Sequence, residues 1–309
     1  MANARMKLAV YTTIYPGVEP YLPDWCRSLL GQTDQSFDLW IGLDTLGQEA
    51  VKQVLGGAMN ANWVITPRGA TPAEIRQQAL LKVVELYDGV VLVDSDDILA
   101  ASRVAMARDQ LSNSDLTGCA LSIVDQSGRD LGATFGAPTH GDMKDVLPRN
   151  NVFGFSNSAF RTELLRRCLP IPAEAVLVDW YLATRAWLLG ARMDFDPTPR
   201  MGYRQHPGNT ARVRRPFSIE QVASDAQLVR RHFQLVLAEP LPAAIGTRWE
   251  EVRQVASDVE EFCNQIVADS ERIELYVSAL NALPLQPVWW ACVANPALAH
   301  MWTEQRVSA

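Results

Sequence analysis

Apolar and polar positions alternate between two periods along the first third of the chain. Residues 8–14 (Leu-Ala-Val-Tyr-Thr-Thr-Ile) form an apolar, β-branched run, the pattern of a strand buried on both faces. Tyr15-Pro16-Gly17 interrupts it, and residues 21–30 follow as a helix with Pro23 in the first turn. Residues 37–43 make a second strand that ends on Asp44, and residues 63–66 a short third. Thr71-Pro72-Ala73-Glu74 starts a helix: a capping Thr, Pro at the first helical position and a Glu placed to cap in return. That helix carries Ile75, Ala79, Val83 and Leu86 on one face. Gly89 then releases a fourth apolar strand over 90–93, which runs straight into Asp94-Ser95-Asp96-Asp97.

Beyond a helix over 100–111 the rhythm loosens. Residues 116–124 and 131–135 read as strands joined by a turn at 125–130, and 136–150 is an aperiodic Gly, Pro, Asp and Asn-rich loop. Residues 153–160 are expected as a strand, unusually polar because Ser156, Asn157 and Ser158 fall inside it. A helix starts at Thr162; residues 176–179 lead into another over 180–189, closed by Gly190. Residues 193–195 and 201–206 are expected as two short strands. From Pro216 the pattern is helical, with a second capping box at Ser218-Ile-Glu-Gln221 and one long helix over 249–280. Val252, Val255, Val259, Phe262 and Ile266 form its seam, broken at Asp269 and resumed at Ile273 and Tyr276. This seam either folds back on the first part of the chain, the reading we favour, or pairs two copies as a homodimer. Trp289 and Trp290, among Pro284, Pro287 and Pro296, are expected to cap the core, with a membrane interface as the alternative. Strands alternating with helices imply an α/β fold: a doubly wound, mostly parallel sheet over 1–215, with a helical extension over 216–309.

Composition narrows the class. Lys and Arg number 28 against 35 Asp and Glu, a net charge of −7, which argues against a general nucleic-acid partner. The five cysteines are scattered without a CxxC pair, as buried thiols of a reducing cytoplasm are. No apolar stretch is long enough to span a bilayer and no signal-peptide core is evident, so the expected location is cytoplasmic, at most peripheral to a membrane.

The acidic cluster is where chemistry is expected. Three carboxylates within four residues, at the end of a buried strand, repel one another unless a cation joins them. Oxygen ligands of this kind suit Mg2+ or Mn2+ held together with substrate phosphates. The carboxyl edge of an α/β sheet is also where ligands bind.

Taken in order, Asp44, Arg76, Asp94 to Asp97, Asp179 and Tyr203-Arg204-Gln205-His206 resemble the family-2 glycosyltransferases of the GT-A fold, over roughly residues 7–212. The resemblance implies transfer of one sugar from a nucleotide-diphosphate sugar to a saccharide or lipid-linked acceptor, with inversion. It implies that Thr12, Thr13 and Asp44 border the nucleotide, that Arg76 grips it, and that Asp94, Ser95 and Asp96 match the Asp-x-Asp motif. Asp96, Asp97 and His206 are then the expected metal ligands, and Arg204 the phosphate partner. Ser156 and Asn157 would read sugar hydroxyls, and Asp179 would be the general base. Two departures stand out: Ile75-Arg76-Gln77 replaces an Ala-Arg-Asn segment, and Val178-Asp179 replaces a Glu-Asp pair. Arg212, Arg214 and Arg215 add a basic cluster suited to a diphosphate or an anionic acceptor. The alternatives are a nucleotidyltransferase, which would carry a basic phosphate loop where this chain has Tyr15-Pro16-Gly17-Val18-Glu19-Pro20, or a sugar-nucleotide-binding module without catalysis.

Overall fold

The computed structural model describes residues 5–55, 60–136, 146–239 and 246–303; most of the 136–150 loop, including His140, lies outside them. Strands β1 (Leu8–Ile14), β2 (Phe37–Leu43), β3 (Ala61–Ile65) and β4 (Gly89–Leu92) pair in parallel in the order β3-β2-β1-β4. Every residue of β1 and β4 is buried, as their unbroken apolar runs require. Past β4 the sheet continues through β8 (Ser158–Arg161), β6 (Leu116–Val124), β9 (Met193–Arg204) and β5 (Ile98–Leu99), with β7 (Asp130–Phe135) paired to β6. β8, β5 and β7 run against their neighbours, whereas β6 and β9 run with the first four. The sheet is therefore mostly parallel, and one edge of it collects the carboxyl ends of the parallel strands.

Helices α1 (Leu22–Leu30), α2 (Gln48–Val54), α3 (Pro72–Leu86), α4 (Arg103–Gln110), α5 (Thr162–Cys168) and α6 (Val178–Leu188) connect and flank these strands. The α3 start is the reciprocal box the sequence calls for. Glu74 N–H donates to Thr71 Oγ1 (3.2 Å), and Thr71 N–H donates to Glu74 Oε2 (2.7 Å).

Three expectations change. Residues 153–160 are not one strand: a turn at 155–157 precedes β8, where the Ser156 side chain bonds to the turn after β4 and that of Asn157 to Val152 O and Cys119 O. The two short strands expected at 193–195 and 201–206 are a single strand, β9, in which Pro197 and Pro199 disguise the alternation. Its pairing with β6 shifts register at Cys119 and Ala120, opposite the stretch that holds the prolines. The long C-terminal helix is also two elements. α8 (Gly246–Phe262) runs into a π-helical turn over Cys263–Val267, and Asp269 caps α9 (Ser270–Ala282) by accepting from Glu271 and Arg272 N–H.

The seam of α8 and α9 packs on α7 (Ile219–Ala238) and is buried within one chain, the reading favoured from the sequence. The second capping box is half-made: Gln221 N–H donates to Ser218 Oγ, but the Gln221 side chain turns to Arg212 O. Trp289 and Trp290 do cap the core. Trp290 lies parallel to Trp180, which stacks on His232 at 4.1 Å, and both parts of the chain share one hydrophobic core. Among the described residues no helix is long and apolar enough to cross a membrane.

Candidate active site

A cleft of about 590 Å³ opens at the carboxyl edge of the parallel strands. Thr13, Tyr15 and Asp44 border it from the ends of β1 and β2, Arg76 from α3, and Asp94 and Asp96 from the turn after β4. Gly154, Phe155, Ser156 and Asp179 face it from the other side, and Trp289 and Trp290 complete the wall. Residues far apart in sequence thus meet as the motif order implies.

The acidic turn is tightly held. Ser156 Oγ accepts from the Asp94 N–H (3.0 Å), and its hydroxyl lies between the Asp94 and Asp97 carboxylates. Ser95 does not face a ligand; its hydroxyl donates to Thr13 O (2.7 Å) and ties the turn to β1. Asp96 Oδ2 accepts from the Tyr15 hydroxyl (3.1 Å) and from His206 Nε2 (2.9 Å). The Gly208 N–H points at His206 Nδ1 (3.1 Å), so Nδ1 carries the lone pair and Nε2 carries the proton. In this arrangement His206 steadies the Asp96 carboxylate, the neighbour with which the sequence expects it to share a metal. Asp97 is also drawn inward. It is 1% exposed, with one oxygen on the Arg204 N–H (2.7 Å) and the other on Ser156.

Arg204 is buried beneath the turn rather than open to a phosphate. Its guanidinium serves Asp96 O (2.6 Å), Gln126 O (2.9 Å) and the Asp24 carboxylate (3.1 Å). Asn157 is likewise a brace, donating to Cys119 O and Val152 O and not to a sugar. Thr12 is fully buried on the β1 face opposite Tyr11 and Thr13, outside the cleft, and its hydroxyl has no partner among the described residues. Arg76 does reach the site. Its guanidinium lies 4.2 Å from the Phe155 ring centroid and 3.6 Å from Asp94 Oδ1.

Burial pushes Asp94 up to about 7; Arg76 opposes this, and the nearby Asp96 and Asp179 charges reinforce it. Burial and the same crowding of carboxylates hold Asp97 well above its usual range. Asp179 sits at the second residue of α6, not at the cap, and burial raises its pKa too. The N–H groups of Trp180 and Phe155 and the charge of Arg76 pull it back. Asn151 Nδ2 donates to Asp179 Oδ2 (3.1 Å). Among the described residues no three His, Cys, Asp or Glu side chains gather as a self-sufficient metal site. Asp94 and Asp96, both facing the cleft and both oxygen donors, still fit an ion that arrives with phosphate oxygens, since Mg2+ and Mn2+ need few protein carboxylates there.

The sequence does not mark Tyr15 or Asn151 as site residues, gives Tyr203 only as a member of the 203–206 motif, and places Trp289 and Trp290 as a cap on the core without their part in the cleft wall. Tyr15 follows the first strand directly and was legible in principle; Asn151 lies in an aperiodic loop and gives no signal.

No protein-family model and no curated protein matches the sequence significantly. Solved structures do. A mannosyltransferase, PcManGT from Pyrobaculum calidifontis in complex with GDP-Man and Mn2+, aligns at TM-score 0.58 and 16% identity over 96% of this chain and 80% of that one. S. aureus TarS (1–349) in complex with UDP-GlcNAc aligns at TM-score 0.55 and 17% identity, over 88% and 90%. The same protein with UDP aligns at TM-score 0.56 and 18% identity, over 91% and 76%. Likeness at these identities establishes architecture: this chain has a glycosyltransferase fold with helices added at its C-terminal side.

Proposed function

We propose that the protein is an inverting, family-2 type glycosyltransferase that moves one sugar from a nucleotide-diphosphate sugar to a hydroxyl of a saccharide or lipid-linked acceptor. The observation that carries this reading is the shared cleft, which places two crowded carboxylates, Asp94 and Asp96, on the same walls as the Asp179 carboxylate. GDP-Man and UDP-GlcNAc bound to two proteins of the same architecture support a nucleotide-sugar donor here.

Asp44 and Thr13, at the β1 and β2 ends, border the base and ribose. Asp96 and Asp94 would hold Mn2+ or Mg2+, which when bound neutralises charge on the departing diphosphate. His206 and Tyr15 fix the Asp96 carboxylate for that task, and Arg204 holds the turn from below. Arg76 balances the cleft charge beside Asp94. Asp179 removes the acceptor proton as the hydroxyl oxygen attacks the anomeric carbon opposite the leaving nucleotide; burial raises its proton affinity toward the range a base needs.

The test is a thermal-shift series with GDP, UDP and dTDP, each with and without Mn2+, followed by donor hydrolysis without acceptor. One nucleotide is expected to stabilise the protein only with metal; at one hundred times its Kd the gain is about 2.7 kcal/mol. If no nucleotide diphosphate shifts the transition under either condition, sugar transfer is excluded.

A further inference from the structure

We infer that Asn151 is the positioning residue for the Asp179 carboxylate, and that Trp289, from the C-terminal extension, holds Asn151 in place. The inference rests on the reading of Asp179 as the base and deepens it.

Asn151 is fully buried in the segment between β7 and β8. Its amide has one permitted orientation: the Phe153 N–H donates to Oδ1 (2.9 Å), so Nδ2 is the atom turned to Asp179 Oδ2, 3.1 Å away. The Asn151 donor fixes Oδ2 and with it the plane of the carboxylate. The carboxylate takes the proton of an acceptor hydroxyl while the O–H electron pair forms the new bond to the anomeric carbon. The bond to the nucleotide breaks, and its pair leaves with the diphosphate.

The remaining groups around Asp179 come from three directions. The N–H groups of Trp180 and Phe155 and the guanidinium of Arg76 on α3 favour the anion, whereas Asp94 at the end of β4 opposes it. Asn151 is the side-chain donor in that set. It is anchored in turn from the extension. The Trp289 N–H donates to Asn151 O (3.1 Å), and Asn150 Nδ2 donates to Trp289 O (3.3 Å). The Trp289 indole is wedged against Gly154, Phe135 and Tyr203. The extension thus reaches the candidate base through one residue.

Two variants separate positioning from bulk packing. Asn151→Asp keeps an acceptor for the Phe153 N–H and replaces the donor by a carboxylate oxygen; Asn151→Ala removes both. The readouts are the pH profile of kcat/KM for transfer and the titration of Asp179 by carbon NMR of aspartate-labelled protein, assigned with Asp179→Asn. In Asn151→Asp the Asp179 midpoint and the acidic limb are expected to rise by about one unit or more. In Asn151→Ala the rise is smaller, and the donor KM stays within about twofold in both, as for a group that acts only through the base. An Asp179 midpoint unmoved in folded variants overturns the inference. If neither variant folds, the wild-type Asn151 side-chain amide protons are followed instead: they must move as Asp179 titrates, and an indifferent pair overturns it equally. The NMR readout needs no turnover. A protein that passes it yet transfers no sugar refutes the base reading alone.

Discussion

The acidic turn after β4 and the start of α6 each present carboxylate to the same cleft, yet they are built on opposite terms. At the turn, Asp94, Asp96 and Asp97 crowd together, and their mutual repulsion adds to burial in pushing Asp94 up to about 7. At the helix start Asp179, whose charge reaches Asp94, is raised chiefly by burial and faces donors: the amide of Asn151 and the N–H groups of Trp180 and Phe155. A crowded set is relieved best by a cation, which satisfies several charges at once. At Asp179 the donors favour the anion and only the cost of burial favours a proton, so the group can give one up and take one back. The contrast is a division of labour written in electrostatics, and it can be broken one side at a time.

The largest effect is expected from Asp179→Asn, which keeps shape and removes basicity. Transfer should fall by about 10²–10⁴-fold while the metal-dependent thermal shift with nucleotide persists. Loss of the shift together with activity would place Asp179 in donor binding instead. Trp289→Ala attacks the same side through its support. With the indole gone from against Gly154, unfolding experiments should register a loss of about 3–5 kcal/mol.

Asp225 sharpens the comparison from outside the cleft, because it is another buried carboxylate, held by Cys292 and Gln221. Burial pushes it up to about 6, so the folded protein holds its proton more tightly than the unfolded chain does. Its contribution therefore falls as pH rises from about 4 to about 6. Asp225→Asn should be neutral at pH 4 and stabilising by about 1–3 kcal/mol at pH 7, measured as the difference in denaturant midpoints. His232, pushed down to about 3 by burial, has the opposite slope: stability is lost as pH falls through about 6.5 toward 3. Removing Asp225 should thus leave a steeper acid limb. The smallest effect belongs to Thr71→Ala, which opens the capping box of the helix that carries Arg76 and also loses the hydroxyl bond to Ala173 O. About 1 kcal/mol of stability is expected to go.

Much of this was legible in the chain. The apolar and β-branched runs of β1, β2 and β6 announce their ends correctly, and the Thr71 box fixes the start of α3 to the residue. Asp94 and Asp96 were readable because a buried strand that discharges carboxylates has few structural excuses. What failed were inferences about which way a side chain turns. Arg204, Asn157 and Asp97 have the right chemistry for ligands, but backbone carbonyls and N–H groups arrive from other segments and claim them. Whether His206 donates or ligates depends on a Gly208 N–H two residues on, a geometric fact absent from any motif. Asn151 and Trp289 meet only after the extension has folded back, so no local window contains the pair.

Gly154 has an implication for how the molecule comes into being. A side-chain carbon there would sit 2.8 Å from the Trp289 ring, so the glycine is a socket waiting for a residue that the ribosome adds much later. Because both parts of the chain share one core, the wall beside Asp179 is closed only once residue 289 has folded back. A chain clipped behind α9 would lack that wall, and with it the ring that fills the space over Gly154.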